Sequence, residues 1–190
     1  MLSPSNVRAH SKIKLTVLCS KSYTLIMTNK LISIVGKSNS GKTTLIEKLI
    51  MVLSERGYKV GTVKHAHSRF DIDTKGKDSW RHKNAGAYAT LLISDSNVAL
   101  IRDDITPYTE KIEKYLDGEV DIILVEGFKK QDLPKIEIFR TESGHKYPMF
   151  LSDKNLIAFV TNSHHKAEVP TFGTEDISEL VDFIEHNFIV

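Results

Sequence analysis

Between an apolar run, LISIV at 31–35, and an amphipathic run that begins at Lys42, the chain reads GKSNSGKT from Gly36 to Thr43. A strand that ends in a glycine-bracketed turn and re-enters at once as a helix leaves few folds open. Such a turn wraps so that several backbone N–H groups point inward. Glycine accepts positive φ freely and lets the backbone come close to what it surrounds. The helix that follows adds unpaired N–H groups and the positive end of its dipole. The pattern G-x-x-x-x-G-K-[ST] therefore reads as a mould for the phosphates of a nucleoside triphosphate, built from Gly36, Lys37, Ser38, Asn39, Ser40, Gly41, Lys42, Thr43 and Thr44. Lys42 is expected to reach the β and γ phosphates and the Thr43 hydroxyl to ligate Mg2+. Thr44 is expected to donate to the α phosphate. The plainer reading is a strand-turn-helix corner with a serine-rich cap. The strand before and the helix after favour the mould.

Beyond Lys30 the chain alternates short β-branched runs with helical patterns. KLISIVG, YKVGTVKH, VDIILVEG, PKIEIFR and NLIAFVTN read as strands. GKTTLIEKLIMVLSERG reads as a helix with Leu45, Leu49, Val52 and Leu53 on one face and Gly57 as its stop. KDSWRHKNAGA reads as a helix ending near Gly86. YATLLIS and NVALIRD read as strands joined by a turn at Asp95, Ser96 and Asn97. TPYTEKIEKYLDG is a helix with Thr106 as cap and Pro107 at its first position, and GTEDISELVDFIEHN is a closing helix with Thr174 as cap. Strands alternating with helices predict an α/β fold, a mostly parallel sheet flanked by helices on both faces. No repeat and no linker interrupts 29–190, which reads as one nucleotide-binding domain. Ligands of such sheets bind outside the carboxyl ends of the strands. Three polar loops leave those ends, at 36–42, 65–77 and 126–134.

A phosphate site of this kind needs a second acid on the metal side. Glu126 ends the apolar run DIILVE, where a charged residue reads as functional. The plainer alternative is a carboxylate that merely opens a loop. Asp121, at the far end of the same strand, is discounted. The segment KHAHSRFDIDTKGKDSWRHKNAG is dense in charge. One reading is a site for a second anionic ligand made by Lys64, His65, His67, Lys75, Lys77 and Arg81. Another is a zinc site on His65 and His67, which lacks a third and fourth ligand. A third is a solvated loop. Trp80 reads as helix-packing core. Lys129, Lys130 and Lys135 follow Glu126 and read either as an extension of the positive rim or as ordinary surface lysines.

Composition narrows the class. A formal net charge of +2 over 190 residues gives no global basic field that would suggest nucleic acid. The lone cysteine, Cys19, excludes an intrachain disulfide framework and makes a reducing, cytoplasmic setting the default. No apolar run approaches the roughly 20 residues that span a bilayer. Residues 1–28 read as a peripheral tail or an extra strand, with Met27 as an alternative start.

Taken together, IVGKSNSGKTTLIEKLI, VGTVKHAHSRFDIDTKGKDSWRHKNAGA and DIILVEGFKKQDLPKIEIFR resemble the molybdopterin-guanine dinucleotide biosynthesis protein B family over roughly 30–162. The resemblance implies a P-loop GTPase-like fold, GTP with Mg2+, weak hydrolysis at most, and a homodimer. It also implies an adapter to the nucleotidyltransferase component that attaches GMP to molybdopterin, with molybdopterin itself as a possible ligand. By position, Lys42, Glu126 and Asp71 would be the reactive groups. Thr43, Glu126 and Asp71 or Asp73 would serve the metal. Asn162 would contact the base. The Asn-Lys-x-Asp element that many GTPases use for guanine is absent: the corresponding stretch is FVTNSHH. No glutamine is placed to position water and no arginine finger is evident. Alternatives of the same fold are a small-molecule kinase or ligase and a nucleotide-gated interaction module. For the dimer, the PKIEIFR strand is the expected edge.

Overall fold

A computed structural model describes residues 30–66, 70 and 72–189. The expected tail, 1–28, lies outside the described residues, as do His67 and Asp71. In chain order the elements are β1 (Leu31–Val35), α1 (Lys42–Glu55), β2 (Val60–Lys64), α2 (Asp78–Asn84), β3 (Ala89–Ile93), β4 (Val98–Arg102), α3 (Tyr108–Leu116), β5 (Ile122–Glu126), β6 (Lys135–Phe139), a 3₁₀ turn (Thr141–Ser143), β7 (Leu156–Thr161), β8 (Thr171–Phe172) and α4 (Ile177–Phe188). Within 29–190, which the sequence reads as one domain, contacts gather into two compact units. One comprises the chain up to His65 and from Tyr115 onward, the other Ala66–Lys114.

In the first unit six strands form one sheet in the order β2-β5-β1-β6-β7-β8, every pairing parallel. This is the P-loop NTPase type of α/β fold that the motif requires. Strands buried on both faces need continuous apolar runs, and all five residues of β1 are buried. Alternation then sorts them. Ile32 and Ile34 join Leu124, Ile136, Ile138 and Val160 beneath α1 and α4. α1 covers this face with Leu45, Ile46, Leu49 and Leu53, and α4 with Leu180, Val181 and Ile184. Each such burial contributes about 1.5–3 kcal/mol. Gly57, at φ 91, stops α1 with its N–H on the Ser54 carbonyl while Tyr58 N–H returns to Leu53, the paired bonds of a Schellman ending. Arg56 ties α1 to Asp182 and Glu185 of α4. The opposite face carries buried Glu137, whose carboxylate accepts N–H bonds from Met149 and Phe150 at 2.6 and 2.8 Å.

Three expectations shift. β6 lies between β1 and β7 and is paired on both sides, so PKIEIFR is an interior strand with no free ladder for a second copy; the edges are β2 and β8. α4 begins at Ile177, not next to Thr174, because Asp176 folds back to accept the Gly173 N–H at 2.8 Å. Lys135 is no rim lysine: it is 2 % exposed and paired with Asp153 at 3.1 Å.

The second unit holds α2 packed on β3, and the antiparallel pair β3-β4. The turn falls at 94–97, where the Ser94 N–H reaches the Asn97 carbonyl at 2.9 Å. Leu91 and Ile93 face Leu100 and Val98 across the pair, and all four are exposed.

Candidate functional site

The loop after β1 turns through positive φ at Gly36 (147°), Asn39 (60°) and Gly41 (96°). Asparagine is among the few residues other than glycine that visit this region routinely. At Gly36 the reason is also steric: a Cβ there would lie 2.5 Å from the Ile138 carbonyl oxygen and 2.7 Å from Ser40 Oγ. The first α1 bond runs from Leu45 N–H to the Gly41 carbonyl at 2.9 Å. The N–H groups of Lys42, Thr43 and Thr44 precede it and have no carbonyl of the helix to meet. Three donors and the positive helix end therefore face the hollow of the loop, as an anion requires.

Lys42 arches across that hollow, its Nζ donating to the Lys37 carbonyl at 2.7 Å. Partial burial pulls its pKa below the ordinary lysine value, and the like charges of Lys129 and Lys64 add to this, against Glu126. Parallel pairing sets Glu126 level with Lys64 on one side and Ile34 on the other. Its carboxylate is thereby placed where Thr43 Oγ1 donates to it at 3.5 Å and Lys64 Nζ lies 3.4 Å away. A hydroxyl and a carboxylate converging beside the loop are hard oxygen donors of the kind that Mg2+ takes.

Three residues that the sequence did not single out complete the surroundings. Ser33, wholly buried in β1, donates to the Gly127 carbonyl at 2.5 Å and so ties the strand that feeds the loop to the turn after Glu126. His145 brings a ring nitrogen within 3.2 Å of the Ser38 carbonyl. Arg140 packs against Gly41. None has a local motif, because each partner is distant in sequence.

The other expected residues fall as follows. His65, after β2, packs against Phe128 with centroids 4.6 Å apart and the rings tilted by 41°. Asn162, one residue past β7, accepts from the Thr141 N–H at 3.0 Å and donates to Glu142 at 2.8 and 3.0 Å. Asp73, Lys75, Lys77 and Arg81 belong to the second unit. There Asp73 Oδ1 accepts from Thr74 N–H and Ser79 Oγ at 2.8 and 2.9 Å, and Arg81 lies 3.5 Å from Asp78. The basic residues of the long polar loop are thus divided: Lys64 and His65 go with the phosphate loop, Lys75, Lys77 and Arg81 with the other unit. Among the described residues no three His, Cys, Asp or Glu side chains gather to hold a metal.

Comparison with known proteins adds an independent line. The profile of a family described as molybdopterin guanine dinucleotide synthesis protein B matches residues 31–162. The molybdopterin-guanine dinucleotide biosynthesis adapter protein of Escherichia coli K12 is 35% identical over 160 residues, covering 81% of this chain and 90% of that one. Its Haemophilus influenzae counterpart is 36% identical over 158 residues, covering 82% and 88%. The crystal structure of Bacillus subtilis MobB superimposes with a TM-score of 0.66 at 31% identity, over 84% of this chain and 98% of that one.

Proposed function

Given that the chain belongs to the molybdopterin guanine dinucleotide synthesis protein B family, we propose that it binds GTP with Mg2+ in the Gly36–Thr44 loop. We propose further that it serves as adapter to the nucleotidyltransferase that joins GMP to molybdopterin. The observation that carries this reading is the convergence, on one hollow, of the Lys42–Thr44 amides, the Lys42 ammonium and the Thr43–Glu126 pair. On nucleotide entry Lys42 exchanges the Lys37 carbonyl for phosphate oxygens. Thr43 and Glu126 would hold the metal. When bound, the ion would neutralise phosphate charge. Glu126 would then leave Lys64, which is free to face the γ phosphate. Turnover in this chain alone would be weak at most, as membership of the family suggests.

Guanine is supported by family membership and by Asn162 at the ligand edge of β7, whose amide would exchange Glu142 for the base. Lys64 and His65 are the proposed contacts for a second anionic ligand such as molybdopterin. The exposed apolar face of β3-β4 supports a homodimer: a two-stranded sheet is marginal by itself, and an apolar patch of this kind marks an interaction site. We propose that it works in the cytoplasm.

Calorimetric titration with GTP, GDP and ATP, with and without Mg2+, tests the reading. Mg2+-dependent binding that prefers guanine is expected. Absence of nucleotide binding, or affinity unchanged by Lys42→Ala, overturns it.

A further inference from the structure

Arg140, the residue that follows β6, leaves the sheet at the same end as Gly36 and Glu126. Its backbone is extended, φ −126° and ψ 144°, so its side chain shares a face with Ile138, two residues back. Both reach α1. A Cβ on Gly41 would stand 3.4 Å from Arg140 Nε, 3.6 Å from its Cδ and 3.5 Å from Ile138 Cδ1. The guanidinium therefore rests beside the first turn of α1, next to the unpaired amides.

That placement is electrostatically incomplete. Nε is buried and meets no acceptor, and buried donors of a permanently charged group are rarely left so. Glu142 lies near enough to feel the Arg140 charge, yet its oxygens bond Asn162 and Nε is left without an acceptor. A guanidinium and the positive end of a helix stand side by side, which is favourable only with an anion on both.

Sheet order says which part of a bound nucleotide would meet it. β5 and β6 flank β1 on opposite sides. β5 brings Glu126 to Thr43, the metal side, where β and γ phosphates lie. β6 brings Arg140 to the other side, toward the α phosphate and ribose. We propose that Arg140 is a nucleotide-contacting residue whose guanidinium donates to the α phosphate. It supplies, from the neighbouring strand, a cation near the base-reading stretch FVTNSHH, which has no lysine in that stretch. The inference rests on the proposed nucleotide site and deepens it.

The test uses the full chain. Arg140→Met keeps the packing on Gly41 and removes the donors. GTP and GDP affinities should both fall about 10- to 100-fold, by the same factor, because both nucleotides carry the α phosphate. The Mg2+ concentration that half-saturates GTP binding should stay within twofold. Arg140→Lys, which retains charge, should recover part of the loss, and in phosphorus NMR of its GTP complex the α resonance should move while β and γ stay. Should Arg140→Met lower the melting temperature, the Lys variant decides by that resonance. Affinities within twofold of wild type in Arg140→Met, or an α resonance unmoved in Arg140→Lys, overturn the proposal. A wild-type chain that binds no nucleotide overturns the proposed function instead.

Discussion

Lys42 carries the largest single consequence at the scale of one residue. Its Nζ makes one bond, to a loop carbonyl, so the ammonium contributes little to folding and is what the proposed nucleotide site would lose with it. Lys42→Ala is expected to weaken GTP about 10- to 100-fold, the worth of a charged hydrogen bond, with a melting temperature within about 2 °C of wild type. Calorimetry and a thermal melt check both. Burial and Lys129 hold the pKa of Lys42 below its ordinary value, whereas a bound phosphate favours the charged form. Binding therefore takes up a proton where free Lys42 has lost one. Affinity is full below the lowered pKa and falls as pH rises through it, earlier than an ordinary lysine would allow. Titration of GTP affinity against pH, with Lys42→Arg as the variant that stays charged, measures the difference. The turn of this loop through Gly36, Asn39 and Gly41 was readable from eight consecutive letters, because its geometry is local. Ser33, Arg140 and His145 were not, because their partners lie across the sheet; Ser33 and Gly127 are 94 positions apart.

At the scale of elements, the strands and helices follow their periodicities closely, and the face that each presents follows from alternation. Ile46, buried in α1 where the sequence favoured Val52, differs because α4 widens the covered face. Glu137 is the element-scale anomaly, a carboxylate inside β6 that anchors the segment through Met149 and Phe150. Burial raises its pKa, with the two N–H bonds opposing. A carboxyl whose folded pKa is raised contributes stability that is full below the unfolded pKa and lost as pH rises through the folded one. Glu137→Gln cannot ionise and, with one acceptor and one donor group, mimics the neutral carboxyl. The variant should match the wild type to within about 1 kcal/mol in acid and gain on it as pH rises through the raised pKa. Urea unfolding of both proteins between pH 4 and 7 follows this; a wild type that gains on the variant with rising pH contradicts it.

The whole molecule divides into two units, and the chain enters and leaves the second between β2 and β5, which are neighbours in the sheet. The six-stranded sheet has its own core, as an independently folding unit must. Replacing Ala66–Lys114 by a flexible linker long enough to return along one strand should leave a cooperative thermal transition and measurable GTP binding. Loss of the transition in circular dichroism would show that the sheet depends on the insert. The same replacement removes β3-β4 and should yield a monomer. In the full chain, Ile93→Asp with Val98→Asp should do likewise, since two charges on the exposed apolar face oppose its burial against a second copy. Light scattering after gel filtration reads the mass.

From its sequence alone the chain determined what is decided between near neighbours: the turn of the Gly36–Thr44 loop, the run of strands and helices, and Glu126 at the end of a buried strand. Those are contacts and periodicities within a few residues, fixed by backbone sterics and by which side chains prefer to leave water. The tertiary structure alone decided the order of the strands, which put PKIEIFR in the interior, turned Lys135 inward to Asp153, and set Arg140 beside Gly41. Pairing order brings together residues tens of positions apart, and its energy lies in contacts that no stretch of sequence contains by itself.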